Sequence, residues 1–261
     1  MNQTLRLRVN NEIPAYRTGL VAGLDVGTSK IVCVIGQAES GTLKILGSAL
    51  RESGGLRAGT ITSLDDAEGA IRECVAAAEN MADARIHNVL IGVNCGQPVS
   101  VNSRAVMALD GALVGDHHLR ALLSEGRSRC RLDGHEIIQS APTAYMVDEA
   151  RGVKNPSGMF CQRIGVAMHA VAVKPSPLAN LKLAVERCHL NVVGSLLGAY
   201  ASGLSILSDD EKQIGATVID MGGGTTSIAV FLEDHLVHAD VVPLGGEAVT
   251  SDQDALRGGA G

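Results

Sequence analysis

With 261 residues, and roughly 150 residues per domain as a guide, the chain has room for one large domain or two small ones. Apolar residues at 46% and charged residues at 19% exclude a disordered chain. A net charge of −6 and 2% aromatic residues provide neither the basic surface nor the stacking platforms of a nucleic-acid binder, so no nucleic-acid partner is expected.

Residues 1–19 are polar around Pro14 and read as a loose leader, without the apolar block of a signal peptide. Residues 20–36 hold two short apolar runs split by Asp25-Val26-Gly27-Thr28-Ser29, the pattern of a buried hairpin. A strand over 43–50 and a loop with Ser53, Gly54, Gly55 and Gly59 follow. A helix is expected over 65–84, with Ser63 as N-cap and Asp66 three residues on. Ala67, Ala70, Ile71, Cys74, Val75, Ala78 and Met81 share its apolar face.

The texture then changes. Residues 87–109 have strand character around Gly92, Gly96 and Pro98, and Asp116 is expected to cap a helix that buries Leu119, Leu122 and Leu123. Strands at 135–147 and 163–173 flank a Gly/Pro turn segment at 151–158. The block 86–166 therefore reads as a separate subdomain with its own strands and helix. Pro177 is expected to open a helix bearing Leu178, Leu181, Val185 and Cys188. A short strand at 191–193, a small-residue helix at 198–207 and strands at 215–220, 226–232 and 235–242 complete the pattern.

The six cysteines lie at least 21 residues apart, which excludes zinc ribbons and thioredoxin-type motifs and suits packed thiols of a reducing compartment. Residues 189–207 carry no Asp, Glu, Lys or Arg, but three Ser, three Gly and Asn191 make them a buried strand–helix pair rather than a membrane span. The chain reads as cytoplasmic.

One motif occurs twice. Residues 24–34 read LDVGTSKIVCV and residues 219–230 read IDMGGGTTSIAV, placing Asp25 and Asp220 195 positions apart. Either alone is an ordinary polar turn; both together, each between buried strands, form a non-random repeat of two hairpins able to face each other. The residue types fit phosphate. Gly27, Gly222, Gly223 and Gly224 allow close backbone approach, and successive N–H groups in such turns make an anion-binding concavity. Thr28, Ser29, Thr225 and Thr226 add hydroxyls, and Lys30 adds a positive charge. A bare carboxylate beside a polyphosphate makes sense only with a hydrated cation between them, so Asp25 and Asp220 point to Mg²⁺ held through water. Gly245-Gly246 follows a strand and reads either as a third phosphate-side loop or as a plain strand-to-helix turn. The chain has no P-loop motif and no GxGxxG after a strand. His117, His118, Cys130 and His135 match no standard metal-ligand spacing.

These paired hairpins resemble the actin-like ATPase superfamily, which includes hexokinases and heat-shock chaperones. Within it the chain is most similar to the FtsA family of bacterial cell division proteins. GLDVGTSKI, MADARI, DEARGVKNPSGM, AVERCHLNV and VIDMGGGTTSIAVF followed by GGEAVTSD carry that resemblance in the same order, over about 20–252. It implies an α/β fold: a ribonuclease-H-like, actin-type first lobe from 20–85 and 167–251, with 86–166 inserted as a small α+β subdomain. It also implies ATP and Mg²⁺ as ligands, with the phosphates at the residues named above.

The implied function is an ATP-binding scaffold that links the FtsZ ring to the inner membrane and recruits later division proteins, with the inserted block as a surface for self-association. A pilus-assembly actin-like ATPase and a small-molecule kinase are the alternatives. Two departures from the family stand out. The resemblance stops near Ser251, before the second lobe that carries the FtsZ contact and the C-terminal membrane helix, so the chain reads as an N-terminal fragment with a non-matching tail at 252–261. The helix GAYASGLSIL offers only Ala201 and Ser202 where relatives of the superfamily place a water-orienting side chain, so at most a weak ATPase is expected.

Overall fold

The computed structural model describes residues 5–6, 18–39, 42–248 and 250; the tail at 252–261 and most of the leader lie outside them. The first Asp-Gly segment forms β2 (Thr18–Val26) and β3 (Lys30–Glu39), whose turn closes by Gly27 N–H donating to Lys30 C=O at 3.0 Å. Beyond β3 lie β4 (Thr42–Glu52) and a two-residue β1 (Leu5–Arg6), both antiparallel. On the other side of β2, β7 (Asn88–Val93) and β12 (Asn191–Leu197) pair in parallel, giving the order β1-β4-β3-β2-β7-β12. Between β4 and β7 run the two-residue strands β5 (Leu56–Arg57) and β6 (Thr60–Ile61) and then helix α1 (Leu64–Ala82).

Helix α1 starts at its expected cap: Ser63 Oγ accepts the N–H of Asp66, and Asp65 and Asp66 lie at the positive end of the helix. Its apolar stripe packs with helix α3 (Pro175–Glu186) against one face of the sheet. Leu24, Ile31, Ile35, Ile71, Cys74, Ile91, Leu178 and Val185 form the dry centre of that core. At roughly 1.5–3 kcal/mol for each fully buried large aliphatic, this layer fixes where the tip of β2 lies. Met81, expected on the same stripe, is 64% exposed, although its Sδ accepts the N–H of Ser48 on β4 at 3.3 Å.

The second sheet has the order β10-β9-β11-β8-β15-β14-β13. Four of its strands, β8 (Val99–Ala108), β9 (Glu136–Val147), β10 (Ala150–Val153) and β11 (Arg163–Val173), pack with helix α2 (Asp116–Arg129) around a separate core of Leu122, Ile164, Val166 and Met168. Strand β7, inside the block 86–166 by sequence, belongs to the first sheet. The N-cap of α2 is Gly115 rather than Asp116, and its N–H is taken by His118 Nδ1 at 3.2 Å. Strand β10 stands where a turn was expected.

The remaining strands, β13 (Ala216–Met221), β14 (Thr226–Leu232) and β15 (His235–Val242), form an antiparallel meander carrying the second motif. Helix α4 (Gly198–Ile206) lies against it, with Tyr200 stacked on Phe231 at 5.7 Å between ring centroids. A further short helix, α5 (Asp209–Ile214), is capped by Ser208 and Glu211.

One ladder pair, Asp240↔Val99, joins β15 to β8, and the neighbouring residue pair is joined through a side chain. Ser100 Oγ donates to Ala239 C=O (3.1 Å), accepts Ala239 N–H (2.7 Å) and lies 2.9 Å from His169 Nε2. A hydroxyl has one proton and two lone pairs, so with its proton on Ala239 C=O it takes His169 Nε2 as a donor.

Candidate functional site

Asp25, next to last in β2, lies opposite Gly92 of β7, in register across the parallel pair. A Cβ on Gly92 would stand 2.8 Å from Asp25 Oδ1, so this glycine makes the room in which the carboxylate sits. The surface of Asp25 is open to water, yet the protein packed around the carboxyl disfavours its charge. That desolvation, and secondarily the charge of Asp220, raise its pKa above the usual carboxylate value, while Lys30 pulls it down.

Asp220, next to last in β13, lies opposite Ser227, and its Oδ2 accepts the hydroxyl hydrogen bond of Ser202 on α4 at 3.1 Å. Beyond it, Gly222 N–H donates to Thr225 C=O at 2.8 Å and closes the second turn.

The two turns meet. A Cβ on Gly224 would lie 2.5 Å from Thr28 Oγ1, and one on Gly223 would lie 2.9 Å from Ser29 Oγ and 2.6 Å from Glu247 Oε1. These glycines therefore serve first for the approach of one hairpin to the other. A third turn wedges in between β5 and β6. Gly59, at φ +73°, donates its N–H to Thr28 Oγ1 at 2.9 Å, and a Cβ there would press within 2.9 Å of Thr225 Cγ2. Because Thr28 Oγ1 accepts from Gly59, its own proton is left to donate elsewhere.

The other hydroxyls differ in availability. Ser29 and Lys30 are exposed, Thr225 is buried at 8% exposure, and Thr226 Oγ1 is committed to Leu244 C=O at 2.8 Å. Gly245 and Gly246 do lie on the second turn: Gly246 N–H donates to Gly222 C=O and Glu247 N–H to Gly223 C=O, both at 2.9 Å. Those two donors are thereby spent on the protein. Four are not. The N–H groups of Thr28, Ser29, Gly223 and Gly224 have no acceptor among the described residues. Free N–H groups on two facing turns, with one carboxylate beside each, form a donor set for a polyphosphate and a hydrated cation.

Gly27, Thr28, Ser29, Lys30, Gly222, Gly223, Gly224, Thr225 and Thr226 are thus gathered at one place with Asp25 and Asp220. Gly59, Gly92 and Ser202 complete it. None of these three has a local sequence signal for its role, because each acts through a contact distant along the chain. Among the described residues no three His, Cys, Asp or Glu side chains are grouped to hold a metal, and no helix is long and apolar enough to cross a membrane.

Residues 96–172 match the family described as the SHS2 domain inserted in FtsA, and residues 217–258 match the family described as cell division protein FtsA. The chain is 38% identical over 251 residues to the cell division protein FtsA of Agrobacterium fabrum, covering 92% of this chain and 57% of that protein. It is 31% identical over 242 residues to the FtsA of Escherichia coli, with the same coverage of each. It therefore spans somewhat over half the length of these relatives. Among solved structures, the PilM–PilN type IV pilus biogenesis complex superposes with a TM-score of 0.58 at 16% identity, over 88% of this chain and 63% of that one, a likeness of fold.

Proposed function

The chain belongs, over the part that aligns, to the family of the cell division protein FtsA, and on that premise we propose that it is the phosphate-holding portion of an actin-like, ATP-binding division scaffold. One observation carries the reading: two repeated turns face each other, with four backbone N–H groups without acceptors among the described residues and a carboxylate beside each turn. Two carboxylates suit Mg²⁺, which keeps most of its waters and takes one or two protein ligands.

In this reading Thr28, Ser29, Gly223 and Gly224 bind phosphate oxygens through their N–H groups, with the Thr28 hydroxyl and Lys30 beside them. Gly27, Gly222, Thr225, Thr226, Gly245 and Gly246 shape the turns. Asp25 and Asp220 hold a Mg²⁺ through its water shell. When bound, that ion neutralises the phosphates. The raised pKa of Asp25 fits a site completed by a cation, since a positive charge there relieves what desolvation and Asp220 impose.

For the whole protein we propose the family's role: linking the FtsZ ring to the cytoplasmic face of the inner membrane and recruiting later division proteins. For this chain we propose a cytoplasmic unit whose block 96–172, with its own core, is a surface for self-association. The matches in sequence favour this over the pilus and kinase readings.

Titration calorimetry of the 261-residue chain with ATP tests the core of the proposal. Binding is expected to need Mg²⁺ and to be competed by tripolyphosphate, because every group in the site addresses phosphate or metal. Asp220→Ala should weaken binding at least ~10-fold with Mg²⁺ and change it little in EDTA. Absence of Mg²⁺-dependent binding at millimolar ATP would remove the nucleotide reading.

A further inference from the structure

Ser202 sits in the middle of α4, where a serine hydroxyl ordinarily turns back to the carbonyl four residues earlier. Here it reaches instead across to β13 and donates to Asp220 Oδ2 at 3.1 Å. The helix that carries it is held on both sides of this residue. Tyr200 stacks on Phe231 at an interplanar angle of 12°. Gly203 lies so tightly on the Phe231 ring and on Val218 that a Cβ has no room there. Gly198 N–H donates to Asn94 Oδ1 at 3.2 Å. The serine oxygen is thus fixed in space, half-buried, and its one proton is committed. Asp220 Oδ1 has no hydrogen-bond partner among the described residues.

We propose that Ser202 is a positioning residue: it locks the Asp220 carboxylate by one oxygen so that the other is presented to the hydrated cation. This deepens the nucleotide reading above and rests on it. A free aspartate side chain samples several rotamers, and a cation that binds through water must pay for ordering it. A donor already bound to Oδ2 removes that cost before the cation arrives, which is preorganisation of an outer shell around a metal ligand.

The test is calorimetry of ATP binding across a Mg²⁺ series, with and without EDTA, on the full chain and on Ser202→Ala, Ser202→Thr and Asp220→Ala. For Ser202→Ala the Mg²⁺ concentration giving half of the metal-dependent gain in affinity should rise ~5- to 10-fold, with metal-free affinity unchanged. Ser202→Thr, which keeps the hydroxyl, should return it to within ~2-fold of the unmodified chain. In an Asp220→Ala background Ser202→Ala should add no further effect. An unchanged Mg²⁺ dependence in Ser202→Ala, or a loss that is equal with metal and in EDTA, overturns the positioning role and leaves the nucleotide reading standing. Failure of the unmodified chain to bind ATP with Mg²⁺ overturns both. Should Ser202→Ala melt early, a Ser202→Thr protein that melts normally yet shows the shifted Mg²⁺ dependence likewise overturns the role, since its hydroxyl is present.

Discussion

His169 offers a quantitative handle on the junction between the two strand groups of the second sheet. The ring is 3% exposed, its Nε2 donates to Ser100, and burial together with the nearby His238 pushes its pKa from 6.5 down to about 4. The unfolded chain therefore takes up the proton before the folded one does. Stability from this group is complete above pH 6.5, falls as pH drops through the window from 6.5 to 4, and is constant below it. At about 1.36 kcal/mol per unit, the full loss has an upper value of about 3 kcal/mol, of which about 2 kcal/mol is lost by pH 5.

The assay is urea unfolding followed by far-ultraviolet circular dichroism, since the chain has no Trp, at pH 7, 6 and 5. The comparison protein is His169→Gln, whose side-chain amide keeps an N–H for Ser100 but does not titrate. Carboxylates titrate alike in both, so the difference isolates the histidine. Between pH 7 and 5 the unmodified chain should lose about 2 kcal/mol more than His169→Gln. Equal losses would show that His169 is not held neutral by its burial.

Gly224→Ala should force the hairpins apart against Thr28 and cost about 1–3 kcal/mol by urea unfolding, together with most Mg²⁺-dependent ATP affinity; an unaffected protein would show that the two turns do not touch. Gly203→Ala, which collides with Phe231, should destabilise by a similar ~1–3 kcal/mol, with a helix propensity gain too small to offset it. In thiol titration of the native chain at pH 8, half-buried Cys188 should react first, whereas burial pushes Cys33 up to about 12 and Cys95 up to about 11, and both should stay unlabelled until unfolding. Early labelling of Cys33 would place it outside the first core.

The two hairpins were legible because each is a local pattern: an apolar run, an Asp, a Gly and hydroxyls fit within a dozen residues. The N-cap at Ser63 and the strands around both motifs were legible for the same reason. Gly92 was not, because its importance comes only from lying opposite Asp25 in a parallel pairing across more than sixty residues of chain. Gly59 was seen as a loop glycine, but its role comes from the meeting of three turns. Ser202 was named only for standing, with Ala201, where relatives place a water-orienting side chain, because its bond to Asp220 depends on the packing of α4. Strand β10 and helix α5 were missed because elements of four and six residues carry little periodicity. The start of α3 was misjudged by two residues: Pro175 and Pro177 both lie in its first turn, and the earlier one takes the first helical position.

The contact between Thr28 and Gly224 also sets an order of events during folding. Thr28 meets Gly59 after a separation of 31 residues, but it meets Gly224 only after 196. Closing the longer loop costs about 1.6 kcal/mol more in chain entropy, before any stabilisation from the layers in between. The first hairpin and the turn at Gly59 can therefore assemble early, while the second hairpin docks onto Thr28 late. A chain caught midway, on the ribosome or after partial unfolding, carries half of a phosphate site: Thr28 and Ser29 are in place and Gly223 and Gly224 are still absent. Retention of nucleotide is then a readout of complete closure, and slow exchange of the Gly59 amide without protection at the Gly222 amide, which Thr225 C=O accepts in the finished second turn, is the signature of the intermediate.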